Sequence, residues 1–199
     1  MKFWLLPLAL IAATSSASLA VAAPRPAPQH SAQPCATSVL TLSRQVATLL
    51  KQNNTSALSL YVDSRRGLQF SPEAYADKKN VKLSRRQVAV ARTDKKIRIW
   101  GDYDGEGGPI KLTWTGYRKR FVWPLDYTRK SQVTINGTPK GRSTVINNLR
   151  QFYPNSTFVE FYVPPSSKDS LDWSSLWMVW KKSGGTWRLI GIAHDEWST

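Results

Sequence analysis

The chain of 199 residues is short of cysteine and histidine: it has one Cys, at position 35, and two His, at positions 30 and 194. A single cysteine excludes an internal disulfide, so burial and hydrogen bonding must hold the fold. One Cys and two His also cannot supply the usual ligand set of a zinc site, and no metal or cofactor is expected. Acidic side chains are scarce as well, 13 Asp and Glu against 28 Lys and Arg, for a formal net charge of +15. Such a surface attracts polyanions, among them nucleic acid, anionic lipid head groups and acidic cell-wall polymers. The plainer alternative is a solvated basic surface with no dedicated partner. The chain also lacks an apolar run of the roughly 18 residues that a membrane-spanning helix needs. Its nearest approach, Phe3 to Ala13, is interrupted by Thr14 to Ser18.

Lys2, that apolar run and the small residues ending Ala20-Val21-Ala22 have the layout of a secretory signal peptide over residues 1–22. Residues 23–35 are Pro- and Ala-rich without periodicity and read as an extended tether. Residues 36–199 are long enough for one domain with a real core. The expectation is an exported protein, periplasmic or extracellular, with no membrane anchor after cleavage.

Within the domain, Val39, Leu42, Val46, Leu49 and Leu50 recur at helical spacing, with Thr37 or Ser38 as N-cap and Asn53-Asn54 as the stop. Leu58 to Val62 predicts a second helix, Leu68 to Phe70 a short extended piece, and Ser71-Pro72-Glu73 a helix start. Lys78 to Arg98 is the most basic stretch. Ser84-Arg85-Arg86-Gln87 in it has the form of a capping box. It matches no groove-reading motif, so a solvated face is expected there rather than a specific nucleic-acid interface.

Asp102, Asp104 and Glu106 place carboxylates at alternate positions before Gly107, as the start of a calcium loop does. The twelfth loop position is Thr113 where a bidentate Glu is needed, so an acidic turn is the alternative. Thr113 can cap a helix with Trp114, Tyr117 and Phe121 on one face. Ser131 to Ile135 and Thr157 to Val163 read as strands, the second with Glu160 between Phe158 and Tyr162.

The C-terminal stretch holds two short apolar runs, Leu176 to Trp180 and Trp187 to Ala193, joined through Gly184-Gly185. These are hallmarks of a buried hairpin. With those glycines as a two-residue loop, Trp180 faces Leu189 and Ser175 faces His194. Alternation then puts Trp177, Val179, Ile190, Ile192 and His194 on one face, and Asp195 on the other. Helices followed by antiparallel strands give an α+β fold class.

Trp100-Gly101 with Asp104-Gly105, then Gly108-Pro109-Ile110, Tyr117, Phe121-Val122 and the closing Trp187-x-Leu-Ile-Gly-Ile-x-His-Asp-x-Trp resemble a family of small exported bacterial proteins of unknown function. The resemblance runs from about Leu40 to the C-terminus. It implies the cone-shaped fold of the nuclear-transport-factor-2-like superfamily, a curved sheet around a pocket closed by N-terminal helices. That superfamily contains both enzymes and non-catalytic binding domains, so the resemblance does not choose a function.

His194 is the one histidine in the folded part and suits proton transfer. Glu160, between two aromatic residues, would be partly desolvated with a raised pKa. If the sheet brought both to one concave face with Trp177, an acid–base pocket of the dehydratase or isomerase kind would follow. Tyr162 and Trp114 are the further candidate lining residues. No phosphate loop, Ser-His-Asp pattern or cofactor fingerprint is present. The leading expectation is therefore non-catalytic binding of a small or polymeric anionic ligand in the cell envelope, with an interaction module or homodimer as a further alternative.

Overall fold

The computed structural model describes Met1 and residues 38–103, 107–141 and 145–197. The signal peptide and tether expected over residues 1–35, with His30 and Cys35, lie outside the described residues. So do Asp104 and Glu106 of the calcium-like stretch.

Helix α1 (Val39–Lys51) begins where the Ser38 hydroxyl accepts the Thr41 amide at 3.2 Å, and it buries Val39, Val46, Ala47 and Leu50. It stops at Asn53, whose φ of 52° is left-handed, a conformation Asn tolerates better than most residues. Asn54 then caps α2 (Thr55–Ser59) by accepting the Ala57 amide at 3.1 Å. After β1 (Leu68–Ser71) and β2 (Lys82–Leu83), the capping box forms as expected. Ser84 accepts the Gln87 amide at 3.2 Å and Gln87 accepts the Ser84 amide at 2.8 Å, which starts α3 (Arg85–Val90).

Strands β3 (Arg98–Asp102) and β4 (Pro109–Leu112) make a separate two-stranded ribbon. Thr113 caps α4 (Trp114–Tyr117), which runs on into a π-helical turn at Arg118–Val122. Then follow α5 (Tyr127–Lys130), β5 (Gln132–Ile135), α6 (Leu149–Phe152), β6 (Thr157–Val163), β7 (Ser174–Ser183) and β8 (Thr186–Glu196). Among the described residues no helix is long and apolar enough to cross a membrane.

The helix expected from Ser71 does not form; residues 72–75 are bends. Ser71 is still in β1, opposite Ala193, and its hydroxyl lies 3.2 Å from the Asn80 side chain. Asn80 also accepts the Asp77 amide at 2.7 Å. These side-chain bonds offer the backbone an alternative to a helical turn.

The fold is α+β, with a mixed six-stranded sheet in the order β2-β1-β8-β7-β6-β5. All neighbouring pairs are antiparallel except β1 with β8, which is parallel. The purely antiparallel run of strands read from the sequence is corrected here: β1 returns from the start of the domain to flank its last strand.

Two layers cover the sheet. On the first face, Val159, Phe161, Leu176, Met178, Trp180, Leu189 and Ile192 pack with residues of α1, the β3–β4 ribbon and the α4 region. Phe70, Trp100, Trp114 and Tyr117 form its aromatic centre, with Trp100 stacked on Tyr117 at 3.9 Å. On the second face, Phe158, Trp177, Val179, Ile190 and Ala193 pack under a thin strap that carries Leu149, Phe152 and Tyr153. Asn148 clamps the strap down: its carbonyl accepts the Ala76 amide at 2.7 Å and its amide donates to the Ala76 carbonyl at 3.0 Å.

The terminal hairpin turns at Gly184-Gly185, both at positive φ, and Trp180 pairs with Leu189 as the two-residue loop requires. Beyond that pair the register shifts by one, so that Val179 faces Gly191 and Leu176 faces His194. Ile190 is the extra residue of a β-bulge. The expected faces are therefore reversed from Gly191 onward. Ile192 lies on the first face, and Ala193 on the second with Trp177.

Candidate anion-binding groove

The bulge separates the two residues that an acid–base pocket would need. His194 lies opposite Leu176, whose side chain is on the first face, and it contacts Phe121 there at 6.0 Å between ring centroids. Glu160 lies opposite Trp177 on the second face. The expected convergence of His194, Glu160 and Trp177 is thus corrected: the sheet stands between the histidine and the other two. Asp195, expected to point away from Trp177, shares its face, opposite Ser175. Tyr162 is on Glu160's side of β6 and packs on Trp173. Trp114 is buried in the aromatic centre of the first face, with its indole N–H on Asn53 at 3.0 Å.

His194 is 1 % exposed. Its Nε2 is 3.1 Å from the Ser174 hydroxyl, which is in turn 2.6 Å from the Tyr127 hydroxyl. The carbonyl of Pro72 is a further partner. Burial pushes its pKa down to about 4, against the pull of nearby Glu196. This neutral imidazole lines a pocket of about 260 Å³ together with Asp195, Arg120 and Glu196. The last two form an ion pair at 2.5 Å.

Glu160 is also 1 % exposed, and burial raises its pKa. Three donors oppose that shift: the Ser175 hydroxyl at 2.7 Å, and the Lys140 amide and Thr134 hydroxyl, both at 3.3 Å. A carboxylate so enclosed is held as part of the second face's core.

A different part of the second face does open. A groove of about 760 Å³ runs between the β1–β2 edge of the sheet and the end of the strap. Its walls carry Arg65, Arg66, Lys78, Lys82 and Lys181, and no described lining residue is acidic. The local folding that displays them is specific. Asp63 accepts the amides of Arg65 and Arg66 at 2.9 and 2.7 Å. Burial would raise the Asp63 pKa, but these bonds and the Arg66 charge hold it below the usual value.

Gly67, at φ 73°, closes this turn, and a Cβ there would sit 2.6 Å from the Leu83 carbonyl. The tight turn therefore presents two consecutive arginines to the groove. Lys82 is opposite Gln69 across the β1–β2 pair, and Gln69 donates to the Asp77 carbonyl at 2.8 Å, tying down the loop that bears Lys78. Lys181 donates to the Pro154 carbonyl at 2.9 Å on the far wall. Arg65, Lys78 and Lys82 make no ion pair with a described residue.

The floor is partly apolar, with Phe152, the Tyr153 ring and Ile190. Beneath that floor the Tyr153 and Ser156 hydroxyls are shut off from solvent and have no hydrogen-bond partner among the described residues. Tyr153 reaches the sheet because residue 191 is glycine: a Cβ there would stand 3.0 Å from the phenol oxygen. Burial pushes the phenol's pKa up, so it remains a neutral donor. Concentrated positive charge over low-dielectric walls raises the local concentration of anions, and a partly apolar floor suits an organic one. Among the described lining residues there is no His, Cys, Asp or Glu.

None of these groove residues was singled out as a site residue from the sequence. Lys78 and Lys82 fall in the stretch read as a solvated basic face, and Arg65-Arg66 in a turn. Among the described residues no group of His, Cys, Asp and Glu is placed to hold a metal ion. No family model, curated protein or solved structure matches the chain.

Proposed function

We propose that this is an exported, non-catalytic domain that binds an anionic ligand of the cell envelope, and that the groove between Arg65 and Lys181 is where it binds. The observation that carries this reading is the five-cation lining with no described acid. The separation of His194 from Glu160 weighs against an acid–base enzyme. Export rests on the signal-peptide layout of residues 1–22. The cone-shaped nuclear-transport-factor-2-like fold is part of the same proposal. Helices laid on one face of a mixed sheet support it, while the groove that matters lies on the opposite face.

Titration with polyglutamate and with polyphosphate at 20 and 500 mM salt tests the reading (roughly 22 and 4 Å screening lengths). Both polymers should bind at low salt and weaken at high salt. Arg65→Glu with Lys82→Glu should remove most of the binding. Lys95→Glu with Lys96→Glu, an equal charge change at exposed residues outside the groove lining, should remove much less. Equal losses in the two double variants would show diffuse surface attraction and overturn the groove assignment.

A further inference from the structure

Lys181 and Lys182 are neighbours on β7, and alternation sends them to opposite faces of the hairpin. Lys181 lines the basic groove. Lys182 lines a second, smaller cleft of about 390 Å³, at the rim of the first face between the end of α2 and the hairpin tip. Among the described residues the two openings share no lining residue.

The walls of this cleft are apolar: Leu42 of α1, Leu60, Tyr61 and Trp187. Leu42, Tyr61 and Trp187 are only partly buried, and Leu60 is 67 % exposed and belongs to neither core. Backbone pairing fixes the wall. The Leu189 amide donates to the Tyr61 carbonyl at 2.8 Å and the Asp63 amide to the Leu189 carbonyl at 3.1 Å, so the chain leaving α2 is stitched to β8. The Tyr61 hydroxyl is tied to the Gln45 side chain at 3.1 Å, which sets the ring against α1. A lone exposed leucine is ordinary. One held in a concave surface beside a part-exposed tryptophan and tyrosine has the character of a small-molecule site.

The charges around the cleft are of one sign. Arg188 donates to the Leu60 carbonyl at 3.3 Å, which keeps its guanidinium at the wall. Lys182 lies opposite Trp187 in the hairpin, with its ammonium 5.7 Å from the indole centroid. Neither makes an ion pair with a described residue, and no described lining residue is acidic. An anion with an apolar body complements both features. One ammonium and one guanidinium already bonded to a carbonyl suit a single negative charge, whereas the five cations of the groove suit several. The volume is near the lower end of the range for small-molecule pockets, which suits one hydrocarbon chain rather than two.

We infer that this cleft binds a single-chain aliphatic carboxylate, a medium-chain fatty acid. Its carboxylate lies between Lys182 and Arg188, and its chain runs along Leu42, Leu60, Tyr61 and Trp187. The site is separate from the anion groove and does not depend on it.

Calorimetric titration of the protein with acetate, hexanoate, octanoate and octanol, each below its micelle-forming concentration, tests this. Affinity should rise roughly fourfold for each methylene buried. Acetate should not bind measurably, and octanol should bind less tightly than octanoate. Leu60→Ser should weaken octanoate by roughly tenfold through the lost apolar wall. Lys182→Ala should weaken it by roughly two- to fivefold, the worth of an exposed charge pair. Both residues are exposed, so the melting curves of the two variants should match that of the parent. Arg65→Glu with Lys82→Glu should leave octanoate binding unchanged.

Affinity that does not grow with chain length, or equal octanoate binding by the parent and both cleft variants, would overturn the inference. Loss of octanoate binding in the groove double variant would move the ligand to the groove and overturn it as well. Failure of polyphosphate to bind, with octanoate still bound, would remove the groove reading and leave this site standing.

Discussion

The two faces of the central sheet are built on different terms. The first is covered by helices and the β3–β4 ribbon, and its aromatic centre is satisfied: the Trp100 indole donates to the Leu112 carbonyl at 2.9 Å and the Trp114 indole to Asn53. The second is covered by a strap, and it contains a buried carboxylate, Glu160. Of the buried side-chain polar atoms lacking a described partner, those of Asn147, Tyr153, Ser156 and Trp177 belong to it or to its cover, while that of Trp180 lies on the first face. One face stabilises the fold; the other keeps polar groups at a cost in stability and opens into a basic groove. Buried polar groups without a partner cost stability, and well-met ones in an aromatic core do not.

Mutations on the first face should therefore act mainly on stability. Trp100→Ala removes a fully buried indole and its stacking on Tyr117, and a loss of about 3–5 kcal/mol in urea denaturation is expected. A loss under about 1 kcal/mol would mean that the aromatic centre does not carry the fold.

Acid should separate the two faces by sign. The folded pKa of His194, about 4, is below the unfolded value of 6.5, so between these values the unfolded chain binds the extra proton. The His194 contribution is fully present above pH 6.5 and is lost as pH falls through 4, about 3 kcal/mol in all. His194→Gln should flatten that slope. Glu160 works the other way, because its folded pKa is raised. Stability is gained as pH falls through the folded value toward 4.5, and Glu160→Gln should remove that gain. Denaturation curves at pH 7, 5.5 and 4.5 for the three proteins check both signs. Parallel pH profiles for all three would refute the assignment of these groups to buried positions.

On the second face, Gly191→Ala should cost about 1–3 kcal/mol, because its Cβ would crowd Tyr153 and, at 3.1 Å, the Val179 Cβ. A urea denaturation curve of the variant checks this. An unchanged stability would mean that the Tyr153 ring moves off the sheet without cost. The smallest stability effect is expected from Lys82→Glu, an exposed residue at the groove edge, with a change within about 0.5 kcal/mol in its melting curve. A larger loss would make the groove cations structural.

Much of the fold was legible because it is local. The period-2 pattern of Thr157 to Val163, the Gly184-Gly185 turn and the Ser84–Gln87 capping box each reside within a few residues, and each forms as read. The bulge at Ile190 was not legible: nothing in the run Trp187 to Ala193 distinguishes a smooth strand from one with an extra residue. That one residue moved His194 and Asp195 to opposite faces from those expected. The parallel pairing of β1 with β8 joins residues more than 100 positions apart, beyond any local pattern. The groove was hidden for the same reason, since the turn at Arg65, the loop at Lys78, the strap at Tyr153 and Lys181 on β7 meet only in the folded chain. Charge was readable in the sequence, but its focus was not.

The most direct test of the account is an amide chemical-shift map of the folded domain titrated with polyphosphate at low salt. The account predicts shifts concentrated at Arg65, Arg66, Gln69, Lys82, Tyr153, Ser156 and Lys181, with the first face unchanged. Shifts centred on His194 and Arg120, or spread evenly over the exposed lysines at 95, 96 and 119, would contradict it.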